Sequence, residues 1–397
     1  MVEAPKTFDI FLVAGEASGD ALGAPLMAAL KTELHDRVRF RGVGGPSMRA
    51  AGLASLYAME DLTAMGINAV IAKLPLIIKR LWGTSAEIAA HPPDLLILID
   101  SPDFNLRLAK RVRRALPNLP IVKYVSPTVW GWRPGRAKAM QPNIDHILAL
   151  YPFEPEVLRQ LGGPPCTYIG HPLLQRLGEL RPSARDEARR AVEPPLVLVL
   201  PGSRRSEIRR LGEVFGATLA RVAREREGVE FLLPTLPHLA GEIAQTIAKW
   251  PARPQVVTTE EEKFEAFRRA RAALAASGTV TLELALAHVP TVAGYRVSAI
   301  EAPILRRVIK AASAILPNLI LGENFVPEFH QEECTAEKLA GALLPLLDKG
   351  PARARQLESF ARLDAAMDVG GETPSTLAAR TVLDVYETKT GRRAPRS

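Results

Sequence analysis

The strand–turn–helix segment at 196–208 constrains the fold more than any other part of the chain. Five apolar residues, Leu196–Leu200, lead through a proline and Gly202 into a charged helix. A parallel strand that ends at a glycine brings free backbone N–H groups and the positive end of the next helix dipole to one point. Arg204 and Arg205 add guanidinium groups that can bind phosphate oxygens. The segment predicts an anion site, although an ordinary turn with solvated arginines explains it equally well by itself.

Length and composition limit the possible classes of protein. With 397 residues, of which 47% are hydrophobic and 24% charged, the chain has room for two globular domains. We see no apolar run long enough to cross a bilayer and no signal or transit peptide, so we expect a protein on the cytoplasmic side. Two distant cysteines, and seven histidines without a His-x-x-x-His pair, favour neither a disulfide framework nor a metal site.

The first strand leads into an acidic loop. Phe8–Val13 is a buried-strand pattern, followed by a Gly-rich loop at 14–20 and a helix from about 21 to 34. The loop lacks the Gly-x-Gly-x-x-Gly spacing, and its acids Glu16 and Asp20 would repel a pyrophosphate. We therefore expect a sugar hydroxyl or an acceptor there. The alternative role is helix capping, which suits Asp20 better than Glu16.

A second apolar strand, Leu95–Ile99, delivers two acids and an amide to its carboxyl end. Asp100 follows the strand directly, and an acid fixed on a rigid sheet suits a general base. Asp103 or Asn105 is expected to cap the helix predicted over 106–116. The sequence therefore favours Asp100 as the chemical group of this loop.

The strand predicted at 121–125 opens into an aromatic and basic loop. Trp130 and Trp132 lie in sequence beside Arg133 and Arg136. These side chains could stack on a sugar or line the rim of an anion site. They could equally be core or interface residues.

An apolar stripe lies between 65 and 82. With a helix beginning near Pro75 or one turn earlier, the i, i+3, i+4 spacing aligns Val70, Ile71, Leu74, Ile77, Ile78, Leu81 and Trp82. Lys73, Lys79 and Arg80 flank the stripe, as at the headgroup boundary of an anionic membrane. The commoner alternative is a helix packed on the core, unless the substrate is a lipid.

The second half repeats the β-α pattern after a break at 173–195. Its predicted strands are Leu196–Leu200, Glu230–Leu233, Gln255–Val257, Ala272–Ala276 and Thr291–Tyr295. Ser277, Gly278 and Thr279 form a second strand-to-helix turn that offers hydroxyl and N–H groups to an anion. Glu283 follows one helical turn later, where its carboxylate could receive ribose hydroxyls.

Eight short motifs are spread over almost the whole chain: AGEASGD at 14–20, DSPDFN at 100–105, YVSPTVW at 124–130, GHP at 170–172, LPGSR at 200–204, ASGT at 276–279, LPNLI at 316–320 and QEEC at 331–334. As a set they resemble the lipid-A-disaccharide synthases, the glycosyltransferases of the outer-membrane lipid pathway. One departure is Ala69, where that family usually has a glutamate. If the glutamate touches acceptor or membrane, this chain lacks that contact.

The resemblance implies a GT-B fold, an α/β architecture in which two Rossmann-like doubly wound domains face each other across a cleft. It implies transfer of 2,3-diacylglucosamine from UDP to 2,3-diacylglucosamine 1-phosphate with inversion. The family's base falls on Asp100, its essential arginine on Arg204, its essential asparagine on Asn318 and its first-loop acid on Glu16. The expected substrate contacts are Gly202, Ser203, Ser277, Gly278, Thr279, Glu283, Asp103 and Asn105.

The resulting domain assignment has three parts. Residues 1–175 would face the acceptor and the membrane, and 195–345 would bind the UDP-sugar. Residues 346–397 would be helices with a frayed basic tail, packed on the first domain or on a partner subunit. The implied partners are the UDP-sugar donor, the phosphorylated lipid acceptor and the cytoplasmic face of the inner membrane, with a homodimer suggested by the family. We expect no cofactor and no metal, because no Asp-x-Asp motif follows a strand.

Two other classes of function compete with this one. Another UDP-sugar enzyme of the same fold, either a transferase acting on a peptidoglycan lipid precursor or an epimerase, would keep the nucleotide half. A nucleic-acid-binding module is suggested by the net charge of +8. The absence of a dense basic run and the acids at the strand ends argue against it, so we expect no nucleic acid partner.

Overall fold

The chain forms two compact units, each built on a parallel β-sheet. The computed structural model describes residues 7–35, 37–63, 67–297 and 313–396, and over 67–71 only the backbone. Unit 1 consists of Met1–Leu174 and Val369–Ser397, and unit 2 of Gln175–Asp368. The expected C-terminal part at 346–397 is thus divided between the two units.

A seven-stranded sheet forms the centre of unit 1. Its strands are β1 (Phe8–Ala14), β2 (Val38–Val43), β3 (Ala54–Ser55), β4 (Leu95–Ile99), β5 (Ile121–Tyr124), β6 (His146–Ala149) and β7 (Cys166–Tyr168). Their order is β3-β2-β1-β4-β5-β6-β7, with parallel neighbours throughout. The chain changes direction across the sheet between β1 and β4. In open α/β sheets, ligands bind at the carboxyl ends of the strands at this switch point.

Unit 2 repeats the arrangement with six strands. They are β8 (Leu196–Leu200), β9 (Glu230–Pro234), β10 (Gln255–Val257), β11 (Ala272–Ala276), β12 (Thr291–Tyr295) and β13 (Glu328–His330). The order β10-β9-β8-β11-β12-β13 is again fully parallel and has its switch point between β8 and β11. The five strands predicted for this half are confirmed, with β9 longer by one residue.

Helices connect the strands. In chain order they are α1 (Ala17–Glu33), α2 (Pro46–Ala50), α3 (Ile67–Ala90), α4 (Pro102–Ala115), α5 (Gly135–Met140), α6 (Glu154–Gln160), α7 (Leu177–Leu180), α8 (Ala184–Ala191), α9 (Arg205–Glu225), α10 (Ala240–Ile247), α11 (Glu260–Arg269), α12 (Val280–Leu286), α13 (Leu316–Leu321), α14 (Ala336–Leu347), α15 (Pro351–Met367) and α16 (Pro374–Thr390). The last of them, α16, returns to unit 1 and packs against α1.

Alternate side chains of β1 enter two different cores. Ile10 and Leu12 pack in the cluster that contains α1 and α16, while Phe11 and Val13 pack in the cluster that contains α4 and part of α3. All five residues of β4 are buried as well. Helices therefore cover both faces of the sheet, which explains why its strands are continuous apolar runs rather than alternating ones.

Several element boundaries differ from the sequence-based prediction. Helix α1 begins at Ala17, so much of the predicted Gly-rich loop is the first turn of a helix. Helix α3 begins at Ile67 and continues through Pro75. The tail after α16 is packed rather than frayed, because Arg37 Nη2 donates to the Pro395 carbonyl at 2.8 Å and Ala394 is buried.

A substitution at Gly42 tests how closely β2 packs on β1. Its φ is +142°, and a Cβ built there would lie 1.9 Å from the Leu12 carbonyl oxygen. We expect Gly42→Ala to destabilise unit 1 by at least about 2 kcal/mol, measured by thermal or urea unfolding. Gly83, in α3, has no atom within 4 Å of such a Cβ, so Gly83→Ala should leave stability equal or slightly raised. Equal unfolding curves for the two variants would contradict the close β1–β2 contact.

Candidate active site

Two acidic side chains meet at the switch point of unit 1. Glu16 precedes α1, and Asp100 follows β4. Ser18 Oγ, in the first turn of α1, donates to Asp100 Oδ2 at 2.7 Å. Burial raises the pKa of Glu16, and the negative charge of Asp100 raises it further. The loops after neighbouring strands thus bring together a carboxylate oriented by a hydroxyl and a second acid that retains its proton more readily.

The backbone around Asp100 is strained. Asp100 and Ser101 have φ angles of +49° and +41°, in the left-handed region that non-glycine residues rarely adopt. Asp100 N–H donates to the Tyr124 carbonyl at 2.9 Å. The Asp100 carbonyl accepts from Lys123 Nζ at 2.7 Å and from Asn105 Nδ2 at 2.9 Å. Strain of this kind persists only when the surrounding contacts hold it in place.

The other acids and the amide of these loops have different surroundings from those predicted. Asp20 is buried, and it accepts from the N–H groups of Ser47 and Met48, so it caps α2 rather than its own helix. Asp103 lies in the first turn of α4 and pairs with Arg136 Nη2 at 2.5 Å, with 71% of its side chain exposed.

Asn105 was expected to cap a helix or to contact substrate, and the structure corrects both expectations. Its side chain is fully buried, and Nδ2 donates to the carbonyl groups of Ile99 and Asp100. A side chain enclosed in this way has no surface to offer a ligand. Asn105 therefore supports the loop from below.

Aromatic and ionisable side chains cluster at the ends of β6 and β7. Glu154 Oε2 accepts from the N–H groups of Leu150 and Tyr151, both at 3.1 Å, and Trp130 Nε1 lies 3.4 Å from Glu154 Oε1. Burial raises the pKa of Glu154 to about 7. The Tyr151 ring stacks on His171, and burial lowers the pKa of this histidine to about 4. Trp130 is therefore bound to the framework, whereas Trp132 is 37% exposed beside Arg133.

The turn after β8 already holds an anion, which is a carboxylate of the protein itself. Gly202 has a φ of +119°, and a Cβ there would lie 2.4 Å from Glu207 Oε2. That oxygen accepts from the N–H groups of Ser203 at 2.9 Å and Arg204 at 3.2 Å. The Arg204 side chain is 71% exposed and 3.4 Å from Glu207 Oε1. The two amides are occupied by a carboxylate of the same helix, and a phosphate would have to displace Glu207 to use them.

The second turn of unit 2, after β11, is more open. Gly278 and Thr279 are exposed, and a Cβ on Gly278 would meet no atom within 4 Å. Ser277 is half-buried, and its N–H donates to the Gly294 carbonyl. Glu283 Oε2 lies 2.5 Å from Lys263 Nζ, so the proposed ribose ligand is ion-paired in this state.

Asn318, expected as a catalytic residue, is 1% exposed. Its Nδ2 donates to the Val326 carbonyl and its Oδ1 accepts from the Val326 N–H, both at 3.0 Å. The amide thus fixes the segment between α13 and β13.

The apolar stripe of α3 divides between the core and the surface. Leu74, Ile78 and Trp82 are 44%, 46% and 57% exposed. Ile77 and Leu81 pack against the core instead, because α3 presents them on its inner face. The side chains of Val70, Ile71 and Ala69 lie outside the described residues. The predicted surface is therefore reduced to three described side chains, spaced four residues apart.

Comparisons with known proteins agree with the motifs. The family model described as lipid-A-disaccharide synthetase matches residues 10–373. Lipid-A-disaccharide synthase of Rhodopseudomonas palustris strain HaA2 is 55% identical over 95% of this chain and 96% of its own length. The synthase of Nitrobacter winogradskyi is 54% identical over 94% and 95%. This chain belongs to the lipid-A-disaccharide synthetase family. It is therefore a glycosyltransferase.

Solved structures agree on the fold. A putative UDP-N-acetylglucosamine 2-epimerase from Listeria monocytogenes has a TM-score of 0.60 at 12% identity, covering 98% of this chain and 99% of the other. MurG of Acinetobacter baumannii has a TM-score of 0.56 at 15% identity, covering 96% and 100%. At these identities the likeness concerns the fold alone, which is of the GT-B type.

The sequence analysis missed four residues, three near the candidate site of unit 1 and one at the turn after β8 in unit 2: Ser18, Lys123, Glu154 and Glu207. Two of them left a signal in the sequence. Glu207 stands three residues after the N-cap position, which is capping-box spacing. Lys123 interrupts an otherwise apolar strand, where a lysine is rarely buried. Ser18 and Glu154 could be found only from the fold.

The buried Glu154 predicts a pH dependence of stability. Between its ordinary pKa of 4.5 and about 7, the folded protein keeps a proton that the unfolded chain loses. The stability that protonated Glu154 provides is complete below pH 4.5 and is lost as the pH rises to about 7. As the pH rises across this range, the free energy of unfolding of Glu154→Gln should therefore increase by up to about 3 kcal/mol relative to that of the wild type. Urea unfolding at several pH values measures it.

The prediction concerns the difference in the free energy of unfolding between the variant and the wild type. His171 titrates in the opposite sense, but both proteins contain it, so its contribution cancels in the difference. Glu156→Gln is the matched control, because Glu156 lies on the same helix but is exposed, with a pKa lowered to about 2 by Arg159. A stability difference that stays constant between pH 4.5 and 7 for Glu154→Gln would contradict the burial of an unionised acid.

Proposed function

We propose that this chain transfers 2,3-diacylglucosamine from UDP to 2,3-diacylglucosamine 1-phosphate with inversion, which gives lipid A disaccharide 1-phosphate and UDP. The observation that carries the proposal is the Asp100 carboxylate, which is fixed at the switch point of unit 1 by Ser18 and lies beside Glu16. Family membership supplies the reaction class.

Asp100 has the properties that an inverting transfer requires of its base. The attacking sugar hydroxyl must lose a proton as the new glycosidic bond forms, and a positioned carboxylate can accept it. Ser18 donates to one oxygen of Asp100, which leaves the other oxygen for the acceptor. Glu16, whose pKa is raised, can donate a hydrogen bond to a second sugar oxygen in its protonated form.

Unit 2 has the groups that suit the leaving diphosphate. Negative charge accumulates on UDP as the donor bond breaks, and backbone N–H groups and guanidinium stabilise such charge. We assign these roles to the turns at Gly202–Ser203 and Ser277–Thr279 and to Arg204. Arg204 is exposed, so its guanidinium could leave Glu207 and bind the diphosphate. Glu283 would exchange its partner Lys263 for the ribose hydroxyls.

The proposal needs no divalent ion. Guanidinium and oriented amides provide the positive charge that a metal provides in other transferases. The described residues contain no group of three His, Cys, Asp or Glu side chains placed to hold a metal. We expect activity to continue in excess EDTA.

Asp100→Asn is the direct test of the base. The substitution keeps the size of the side chain and removes its ability to accept a proton, so kcat should fall about 1,000-fold with little change in KM. UDP release and disaccharide formation from the two lipid substrates are the measurements. Glu156→Gln, which alters an exposed acid on α6 of the same unit, should stay within about threefold of wild type. An Asp100→Asn enzyme with wild-type turnover would remove Asp100 from the mechanism.

The exposed part of α3 fits the peripheral association that a diacylated substrate requires. Leu74, Ile78 and Trp82 present apolar area to solvent, and the Arg111 guanidinium lies 3.4 Å from the Trp82 ring centroid. Among the described residues, no helix combines the length and hydrophobicity needed to cross a membrane. We propose that this face rests on the cytoplasmic surface of the inner membrane, and that the chain acts there as a homodimer, as the family resemblance implies.

Replacing these three side chains tests the membrane surface. Leu74→Ser, Ile78→Ser and Trp82→Ser in one protein should weaken binding to anionic phospholipid vesicles about 100-fold in a flotation assay, because buried apolar area drives the insertion. Val192→Ser with Leu236→Ser is the matched control, since these apolar residues of unit 2 are 62% and 46% exposed. Unchanged binding of the triple variant, or equal loss in the control, would reject the surface.

A further inference from the structure

The reaction as proposed makes no use of Lys123, which is the most enclosed charged side chain of unit 1. It lies in β5 and has no solvent exposure. Its Nζ donates to the Asp100 carbonyl at 2.7 Å and to the Tyr124 carbonyl at 3.0 Å. Burying an ammonium is expensive unless it is bound by specific partners, and a methionine would fill the same space without that cost. The position of this lysine therefore calls for a role beyond packing.

The bonds of Lys123 close a ring around the strained turn. The Tyr124 carbonyl that accepts from Lys123 also accepts from the Asp100 N–H. The Lys123 ammonium therefore connects the Asp100 carbonyl to the Tyr124 carbonyl, and the Tyr124 carbonyl in turn binds the Asp100 N–H. The left-handed conformation of Asp100 lies within this ring and that of Ser101 follows it directly, and each costs about 1 kcal/mol or more without external support.

Titratable groups surround the turn. Carboxylates approach from two loops, Asp100 after β4 and Glu16 after β1, while Tyr151 and Glu154 lie at the end of β6. Burial lowers the pKa of Lys123 to about 7, and the charge of Asp100 opposes this effect.

We propose that Lys123 is a positioning residue for Asp100: its two hydrogen bonds hold the left-handed turn that directs the carboxylate toward Ser18. This inference rests on the proposed role of Asp100 as the base. Lys123 contacts the backbone from inside the sheet, so it does not touch the substrate.

Lys123→Met tests the inference because it preserves length and removes both the charge and the donors. We expect kcat to fall about 100-fold, since small displacements of a reacting group have effects of this size, while KM for either lipid substrate changes by less than about threefold. Lys110→Met, at an exposed lysine of α4, is the control and should leave both quantities unchanged.

A second substitution separates positioning from a general effect on folding. Glycine adopts positive φ without penalty, so Ser101→Gly relieves part of the strain that Lys123 supports. In the Lys123→Met background it should restore kcat several-fold. Should Lys123→Met fail to fold, Lys123→Gln, which keeps an amide donor, takes its place in the same comparison. Circular dichroism and the unfolding midpoint establish the folded fraction by which rates are normalised.

The outcomes are distinct. A folded Lys123→Met enzyme with wild-type kcat, combined with an inactive Asp100→Asn enzyme, overturns the role of Lys123 and leaves the proposed function standing. Full activity of Asp100→Asn overturns the proposed base itself. A loss in Lys123→Met that appears equally in kcat and KM, with no response to Ser101→Gly, reduces Lys123 to a structural residue and also overturns the inference.

Discussion

The topology of the two parallel sheets is the constraint on which the rest of the structure depends. In a parallel sheet the connection that follows a strand can lead toward either edge of the sheet. Where the connections of two neighbouring strands lead in opposite directions, the loops after these strands separate and leave the carboxyl ends of the strands accessible. This happens between β1 and β4 in unit 1 and between β8 and β11 in unit 2. The same geometry then receives opposite chemistry. Unit 1 carries the acids Glu16 and Asp100, whereas unit 2 carries turn amides and Arg204.

Several polar groups at the two sites bind partners within their own unit. Glu207 binds the amides after Gly202, Lys263 pairs with Glu283, and Ser18 donates to Asp100. Unpaired groups at these positions would cost free energy, so these internal partners stabilise the folded protein. In the proposed reaction a diphosphate would take the place of the Glu207 carboxylate at the two amides.

The sequence was sufficient for the architecture because parallel strands covered on both faces are apolar throughout. The apolar runs Leu95–Ile99 and Leu196–Leu200 show this pattern, and each observed strand has the bounds of its run. Side-chain direction was harder to predict. Asn105 follows Asp100 by only five residues, in α4, yet its side chain points inward to the backbone. Two described members of the α3 stripe, Ile77 and Leu81, lie on the side of the helix that packs against the core. The direction of a side chain, and the face that a helix turns to the core, depend on packing partners that are remote in sequence.

The buried amide of Asn318 binds the backbone of its own unit. Both atoms of its amide bind the backbone of Val326, so the side chain fixes the start of the segment that enters β13. At the beginning of that strand, Glu328 is bound by His330, Ser313 and the Ala314 N–H, and although burial opposes ionisation these donors hold its pKa below the ordinary value. The Asn318 amide therefore fixes the segment that leads into the amino end of β13. Its side chain offers a donor and an acceptor together, which ionised aspartate and alanine do not.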